Sequence, residues 1–141
     1  EQFYRINKKT YDRQRKSMNY TFDDVHRIDA SAKDRDARQI LIAMDDKQQV
    51  HAAIYLLWDS NTTYYLMGGA DENLRHSEAN ALLLWKAIVY AKERGSKVFD
   101  FEGSMKESIE KVFRSFGGTL TPYYRLTYMK YPWMRILFAI G

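Results

Sequence analysis

One succession of elements in the middle of the chain, strand–helix–strand, limits the possible folds most. Residues Thr62–Met67 are rich in Thr and Tyr and predict a strand, and Lys97–Glu102 alternate as a second strand. Between them, Glu78–Arg94 is apolar almost all round and predicts a largely buried helix, with Ser77 as its N-cap and Gly95 as its stop. Because such a succession forms a crossover between parallel strands, the sequence predicts an α/β fold.

The elements before this unit add an antiparallel part to the sheet. A first helix is predicted around Phe3–Tyr11, and a second follows the N-cap Thr21. The runs Gln39–Met44 and His51–Trp58 predict strands, and each is followed by a short polar turn, Asp45–Gln48 and Asp59–Asn61. Short turns join antiparallel neighbours, so these strands and Thr62–Met67 are expected to form a meander. The predicted architecture is a central mixed β-sheet flanked by helices.

The C-terminal part adds a helix, a strand and a tail. A capping box, Ser104 with Glu107 three residues later, predicts the helix, and Leu120–Met129 predicts a last, Tyr-rich strand. No repeat and no Gly/Ser/Pro linker interrupts the chain, so residues 1–130 are expected to form one domain. The tail over residues 131–141 is apolar. We expect it to pack on the domain, or else to cover a partner domain or lie on a membrane surface.

The composition excludes several kinds of site. The sequence has no cysteine, which excludes disulfides, thiolate nucleophiles and iron–sulfur clusters. His26, His51 and His76 have no metal-ligand spacing, so no metal site is expected. The net charge of +4 is too small to indicate nucleic-acid binding by itself, although the basic residues of Arg5–Lys16 leave contact with RNA open. No long apolar run and no leader pattern is present, so we expect no membrane span and a cytoplasmic location.

Several stretches of the sequence resemble one branch of a known fold. The predicted order of helices and strands is that of the GNAT acyltransferase fold. The residues that narrow the resemblance to its FemAB-like branch are Tyr64–Asp71, Leu82–Ile88, Phe99–Ser104, Phe113–Gly118 and Pro122–Arg125. The resemblance as a whole, including the order of the elements, covers roughly Phe3 to Met129.

This resemblance implies an activity and a set of partners. FemAB-like proteins transfer an acyl group to an amine; some use aminoacyl-tRNA to build peptidoglycan cross-bridges, and others are inferred to use acyl-CoA. They carry two GNAT-like domains in tandem, and this chain resembles the C-terminal one. The resemblance therefore implies a small-molecule or peptide amine as acceptor, a preceding GNAT-like domain and no tightly bound cofactor. A tRNA partner and a homodimer are further expectations.

The segment that precedes the central helix is the candidate binding site for the acyl donor. Free N–H groups at a helix N-terminus can bind phosphate, and glycines let a ligand approach the backbone. The candidate cofactor-binding residues are Met67, Gly68, Gly69, Arg75, His76 and Ser77. Acetyl-CoA-binding relatives have a Gln/Arg-x-x-Gly-x-Gly/Ala loop here, whereas this chain has a different spacing and the acids Asp71 and Glu72. These acids favour weak CoA binding, and an ordinary strand-to-helix turn is the alternative.

The candidate catalytic residues lie near the ends of the later strands. Asp100 and Glu102 share one face of a predicted strand, where a partly desolvated carboxylate can act as a general base. The alternative is a structural salt bridge or cap. Tyr123 is a candidate general acid, and Tyr124 and Arg125 are candidate substrate-binding residues. The alternative for these three is the packing of an amphipathic strand.

Two functions follow from this reading of the chain. The first is acyl transfer to an amine by direct attack, with the backbone N–H groups near Met67 and Gly68 polarising the acyl carbonyl. The second is a non-catalytic domain that binds a substrate or docks a partner domain. The departure of the Gly68–His76 loop from the CoA-binding pattern favours the second.

Overall fold

The structure, a computed structural model, describes residues 1–103, 106–124, 126, 128 and 130. Four α-helices, four β-strands and one 3₁₀ helix form within these residues. In chain order they are α1 (Gln2–Arg13), α2 (Phe22–Lys33), β1 (Arg38–Met44), β2 (Val50–Trp58), β3 (Thr62–Ala70), a 3₁₀ helix (Glu72–Ser77), α3 (Ala79–Glu93), β4 (Val98–Asp100) and α4 (Glu107–Ser115).

The strands form one mixed sheet in the order β1-β2-β3-β4. The first three are antiparallel neighbours, joined by the two short turns that the sequence predicted. Strand β4 pairs in parallel with β3, and α3 is the crossover between them. The predicted α/β class, the meander and the crossover are therefore confirmed.

Strand β2 supplies the centre of the core because both of its faces are covered. Residues Ala52 to Leu56 have no exposed surface. On one face, Ile54 and Leu56 pack with Leu83 and Ala87 of α3. Burial of a side chain as large as Ile54 contributes about 1.5–3 kcal/mol to folding.

The opposite face of the sheet is covered by the two N-terminal helices. Phe3 and Ile6 of α1 and Val25 of α2 pack against Ala53 and Tyr55 of β2. Both helices bury one apolar face, which in α2 is narrower than expected because Val25 alone is buried, and their remaining faces carry charged residues. These two layers hold α1 beside β3, which later defines one side of the candidate site.

The N-terminus of α2 confirms a prediction made from local sequence. Thr21 accepts a hydrogen bond from the Asp24 N–H, and the Asp24 carboxylate accepts one from the Thr21 N–H. These bonds from Thr21 hold the pKa of Asp24 at about 2. The pair is a capping box, with an acid in place of the commoner Glu or Gln.

The boundaries of the central crossover differ from the predictions. Strand β3 continues through Gly68 and Gly69 to Ala70, because both glycines stay in register with β2. Ser77 ends the 3₁₀ helix instead of capping α3, which begins after Glu78 in a left-handed conformation (φ 50°). The helix is also less buried than expected, since Leu82 and Trp85 are 54% and 55% exposed.

Strand β4 is shorter than predicted, and this separates Asp100 from Glu102. The strand ends at Asp100, whose carboxylate accepts a hydrogen bond from the Glu102 N–H at 2.7 Å. Glu102 and Gly103 then have positive φ angles of 58° and 70°, which strand geometry does not allow. The two carboxylates therefore do not share a strand face.

The C-terminal predictions are corrected in two places. Helix α4 begins at Glu107 with Lys106 in the N-cap position, so Glu107 is not the third residue that a capping box requires; Ser104 lies outside the described residues. The strand predicted over Leu120–Met129 is wrong for the described residues of that range, which have no regular secondary structure. They have no neighbouring strand, and an unpaired strand leaves its backbone groups without partners. Residues 131–141 lie outside the described part of the chain.

None of the described helices has the length and apolar character needed to cross a membrane.

Candidate active site

The candidate site is a cleft that opens where β3 and β4 separate. The two strands pair only between Thr62–Tyr64 and Val98–Asp100. A bulge at Leu66 then interrupts the pairing of β3 with β2, which bends and twists the strand. Beyond this point lies a cleft of about 710 Å³, a size typical of small-molecule sites.

Four elements line the cleft, and each contributes a different kind of surface. The second half of β3 forms one wall, and residues 101–103 with α4 form the other. Phe101 stacks on Phe113 at 4.7 Å between ring centroids, which attaches α4 to the end of β4. The C-terminal half of α1 and the beginning of α3 border the two remaining sides.

The glycines of β3 are required by the chain's own packing. A Cβ atom on Gly69 would lie 2.6 Å from the Asn7 Cα and 2.7 Å from the Ile6 carbonyl oxygen, so α1 packs directly against this residue. A Cβ atom on Gly68 would lie 1.9 Å from the Tyr65 hydroxyl. The space beside both glycines is therefore filled by protein atoms.

Side chains of α1 satisfy the edge of β3 that faces away from β2. The Asn7 amide, which is 2% exposed, donates to the Gly68 carbonyl at 2.8 Å and accepts from the Tyr20 hydroxyl at 2.7 Å. The Thr10 hydroxyl accepts from the Ala70 N–H at 3.1 Å and lies 3.4 Å from its carbonyl. These side-chain hydrogen bonds take the place of the backbone hydrogen bonds that β4, which ends earlier, does not form here.

A backbone donor on this edge, the Gly68 N–H, is directed away from β2. The Asp71 N–H donates to the His51 carbonyl across the antiparallel pair. Because N–H groups alternate in direction along a strand, those of Met67 and Gly69 also point to β2, and that of Gly68 points to the open edge. Among the described residues the Gly68 N–H has no acceptor. Of the two amides expected to polarise a carbonyl, Gly68 is the one directed toward the cleft.

Tyr65 brings a protonated hydroxyl to the same wall. Its ring packs edge-on against Phe113, and its oxygen lies over Gly68. Burial raises the pKa of Tyr65 to about 12, so the phenol stays protonated at neutral pH. No protein partner for this hydroxyl exists among the described residues. Tyr65 was absent from the predicted site, although its place one residue before the bulge directs it into the cleft.

The predicted carboxylates occupy different positions relative to the cleft. Glu102 lines it, with an exposed side chain carried on the left-handed turn after β4. Asp100 is exposed and does not line it; its carboxylate holds the backbone of Glu102 in place. The partial desolvation expected for this pair is therefore not observed, and their catalytic roles stay predictions.

Acidic side chains surround the beginning of α3, where a phosphate was expected. The Asp71 carboxylate pairs with Lys9 at 2.6 Å and accepts from the Asn73 N–H at 3.0 Å. These bonds, chiefly that of Lys9, hold the pKa of Asp71 below its usual value. Glu72 and Glu78 are exposed, and Glu78 occupies the N-cap position without forming a side-chain cap. Their charges oppose an anion at this helix end.

Three polar side chains, Asp45, His51 and Ser77, form a chain at the same end of the cleft, which His51 and Ser77 line. His51 Nδ1 lies 2.8 Å from Ser77 Oγ, and His51 Nε2 lies 3.4 Å from the Asp45 carboxylate. The Ser77 hydroxyl is also 2.8 Å from the Leu74 carbonyl oxygen. Of these residues only Ser77 was a predicted site residue, and that as a contact to the acyl donor. The hairpin register, which places the first residues of β2 beside the end of β3, could have indicated the approach of His51.

The remaining predicted residues lie away from the cleft or outside the description. His76 is exposed and does not line the cleft. Tyr123 and Tyr124 are both 85% exposed, in a segment without secondary structure. The side chain of Arg75 and the whole of Arg125 lie outside the described residues. The roles predicted for these five residues stay predictions, and the exposed positions of His76, Tyr123 and Tyr124 lend those three no support.

No cluster of three or more potential metal ligands exists within the described residues.

Several solved structures with the same fold are named as acetyltransferases. Aminoglycoside 6'-N-acetyltransferase AAC(6')-IG from Acinetobacter haemolyticus aligns with a TM-score of 0.63 at 16% identity, over 88% of this chain and 92% of that one. AAC(6')-Iy in complex with the bisubstrate analogue CoA-S-monomethyl-acetylneamine gives 0.64 at 13% identity, over 79% and 82%. Glucosamine-6-phosphate N-acetyltransferase from Arabidopsis thaliana gives 0.61 at 12% identity, over 90% and 91%. At these identities the likeness shows the fold, and the predicted GNAT architecture is confirmed.

The sequence itself carries the family assignment. No curated protein matches the chain significantly. The model of the family described as "Acetyltransferase (GNAT) domain" matches residues 1–108, which include α1 to β4 and the cleft wall formed by β3. The chain therefore belongs to the GNAT acetyltransferase domain family.

Proposed function

We propose that the chain is an N-acyltransferase that transfers an acyl group from acyl-CoA to an amine in the cleft between β3 and β4. The observation that carries this proposal is the pairing, on one wall, of the free Gly68 N–H with the protonated Tyr65 hydroxyl. A thioester needs a hydrogen-bond donor at its carbonyl oxygen and an acid for its leaving sulfur. The wall of β3 offers both within one strand.

The reaction follows a direct attack, with no acylated side chain. The amine nitrogen attacks the thioester carbon while the Gly68 N–H donates to the developing oxyanion. The C–S bond then breaks, and the Tyr65 hydroxyl protonates the departing thiolate. Glu102, at the opposite side of the cleft, accepts the proton that the amine loses, directly or through water. Asp100 positions Glu102 through its backbone N–H.

The charges around the cleft bear on the choice of acyl donor, because acidic and basic residues border different ends of it. Asp71, Glu72 and Glu78 surround the beginning of α3, whereas Arg13 and Lys16 border the cleft from the end of α1. This pattern favours weak binding of CoA, with its phosphates directed away from the acids. Aminoacyl-tRNA stays the alternative donor, and the FemAB-like branch with a cell-wall acceptor stays a prediction from the sequence.

The acceptor is a small-molecule or peptide amine. Two kinds of structural neighbour carry names of amino sugars, an aminoglycoside and glucosamine-6-phosphate. We therefore place amino sugars first in an acceptor panel, followed by lysine-containing peptides. The release of free CoA thiol measures acetyl transfer to each acceptor of the panel. An aminoacyl-tRNA is then tested with the same acceptors, so that the two acyl donors can be compared.

Tyr65→Phe tests the proposal against a neighbouring tyrosine. The variant removes the acid and keeps the ring, so we expect kcat to fall about 10²–10⁴-fold with little change in the acetyl-CoA dissociation constant. Tyr64→Phe is the matched control, because the Tyr64 hydroxyl bonds to Asp59 at 3.0 Å away from the cleft. It should turn over as the unmodified chain does.

Normal turnover of Tyr65→Phe would remove Tyr65 from the mechanism. If the folded chain transfers an acyl group from neither donor to any acceptor, the non-catalytic docking function is favoured instead.

A further inference from the structure

The side chains of Asp45, His51 and Ser77 form a carboxylate–imidazole–hydroxyl chain that the direct-attack mechanism does not use. His51 is largely buried, with 15% of its side chain exposed, whereas Ser77 is exposed toward the cleft. The Ser77 hydroxyl donates to the Leu74 carbonyl at 2.8 Å, and its Oγ lies 2.8 Å from His51 Nδ1. A rotation about its C–O bond is enough to direct its proton to the imidazole.

The surroundings of His51 favour the tautomer that accepts this proton. Its Nε2 atom is buried, has no hydrogen bond within the described residues and faces the Asp45 carboxylate at 3.4 Å. The Gln49 N–H, together with His51, holds the pKa of Asp45 below its usual value, so this carboxylate is ionised at neutral pH. An anion beside Nε2 favours a proton there, which leaves the lone pair of Nδ1 directed at Ser77.

Backbone donors stand close to Ser77 on its C-terminal side. Glu78 forms no side-chain cap at this helix end, and the Asn80 N–H in the first turn of α3 has no side-chain partner within the described residues. The Ala79 N–H lies 3.4 Å from Ser77 Oγ itself. Donors in the residues that follow a nucleophile are where an oxyanion hole forms in serine hydrolases.

We propose that Ser77 is an acyl-accepting nucleophile, with His51 as its general base and Asp45 as the residue that positions His51. Ser77 Oγ attacks the carbonyl carbon of a thioester or activated ester while His51 Nδ1 takes the hydroxyl proton. The bond from that carbon to the leaving group breaks, and His51 returns the proton to the departing thiolate or phenolate. The products are acyl-Ser77 and a free thiol or phenol.

The acyl-serine is then removed by the same base. His51 deprotonates a water molecule, which attacks the ester carbon and releases a carboxylic acid. The proton passes back to Ser77 Oγ, which restores the hydroxyl. This gives the chain an esterase or thioesterase activity beyond the proposed transfer to amines, and it does not depend on that transfer.

A small activated ester tests this site without a CoA-binding step. We would incubate the full chain with p-nitrophenyl acetate, follow phenolate release, and locate the acetyl group by intact-mass and peptide mass spectrometry. The expected result is one acetyl group, on Ser77. His51→Gln should slow phenolate release about 10²–10⁴-fold. Ser108→Ala is the matched control, because Ser108 lines the same cleft without a histidine partner and its loss should leave the labelling of Ser77 intact.

Two further variants keep the result decisive. Ser77→Ala should lose the label while the chain stays folded, and Ser77→Cys, which retains a nucleophile in the same place, should regain it as a thioester. Labels confined to lysines, or Ser77 labelling that is equally fast in His51→Gln, would overturn the proposal. The test is independent of the proposed transfer to amines, because the ester probe does not need the CoA site. If Ser77 is not labelled, the acetylation of amines by acetyl-CoA can still be measured on its own.

Discussion

The close contact between α1 and Gly69 predicts a large loss of stability in Gly69→Ala. The added methyl group would lie 2.6 Å from the Asn7 Cα, 2.7 Å from the Ile6 carbonyl oxygen and 2.8 Å from the Asn7 nitrogen. All three atoms belong to helix backbone, so no side-chain rotation can make room. The helix must move away from β3, and it carries its hydrogen bonds to Gly68 and Ala70 with it.

The magnitude follows from three contributions. Overpacking of a methyl group in a filled interior costs about 1–3 kcal/mol. The bonds that Asn7 and Thr10 make to β3 contribute about 0.5–1.5 kcal/mol each, and their lengthening adds to the loss. Replacement of glycine restricts the unfolded chain and offsets about 0.4–1 kcal/mol. We therefore expect a net loss of about 3 kcal/mol, which lowers Tm by about 6–12 °C in a domain of this size.

Gly68→Ala is the matched control in the same strand. Its methyl group would meet the Tyr65 hydroxyl at 1.9 Å, the far end of a side chain that can rotate away. We expect it to cost about 1 kcal/mol or less in urea unfolding but to lower acyl transfer, because the Tyr65 hydroxyl leaves its place. Equal destabilisation by the two substitutions, or a Tm of Gly69→Ala within about 2 °C of the unmodified chain, would refute the packing argument.

Two other predictions concern the acids at the beginning of α3. Because Lys9 and the Asn73 N–H depress the pKa of folded Asp71, its contribution to stability is present above the unfolded pKa and is lost as pH falls through the folded one. Asp71→Asn should thus lower the urea midpoint above about pH 5 but not in strong acid; a difference independent of pH would contradict this. Glu78→Gln removes a negative charge from the N-cap of α3, worth about 0.3–1 kcal/mol, so CoA should bind about 2–5-fold more tightly in calorimetry. Unchanged affinity would mean that the CoA phosphates lie elsewhere.

The parts of the fold that the sequence predicted are those determined by local pattern and burial. Thr21 was predicted as an N-cap from its residue type alone, and the structure confirms it and adds the reciprocal bond of Asp24. The apolar run of β2 is long and has turns at both ends, and burial of its two faces follows from its central place in the sheet. The capping box at Ser104 and Glu107 was also a local pattern, yet the helix begins at Glu107. A match of residue types at this spacing is therefore not sufficient.

The parts that could not be predicted depend on contacts between distant residues. The end of β3 was read as a loop because Gly68 and Gly69 are typical of turns, whereas the structure uses them to admit α1. The partner of Gly69 is Asn7, 62 positions earlier, and no local pattern shows that contact. His51 and Ser77 meet in the same way, through the hairpin register and the 3₁₀ helix.

Helix α1 therefore connects the stability of the domain to its proposed chemistry. A sheet that splits between β3 and β4 leaves backbone groups without partners, which costs about 1–3 kcal/mol for each buried group. Asn7 and Thr10 satisfy the Gly68 carbonyl and both backbone groups of Ala70. They have no contact with the Gly68 N–H, which stays directed at the cleft. Helix α1 therefore satisfies the backbone groups around the Gly68 N–H and leaves this N–H itself unpaired. The unpaired N–H can then donate a hydrogen bond to a carbonyl oxygen in the cleft.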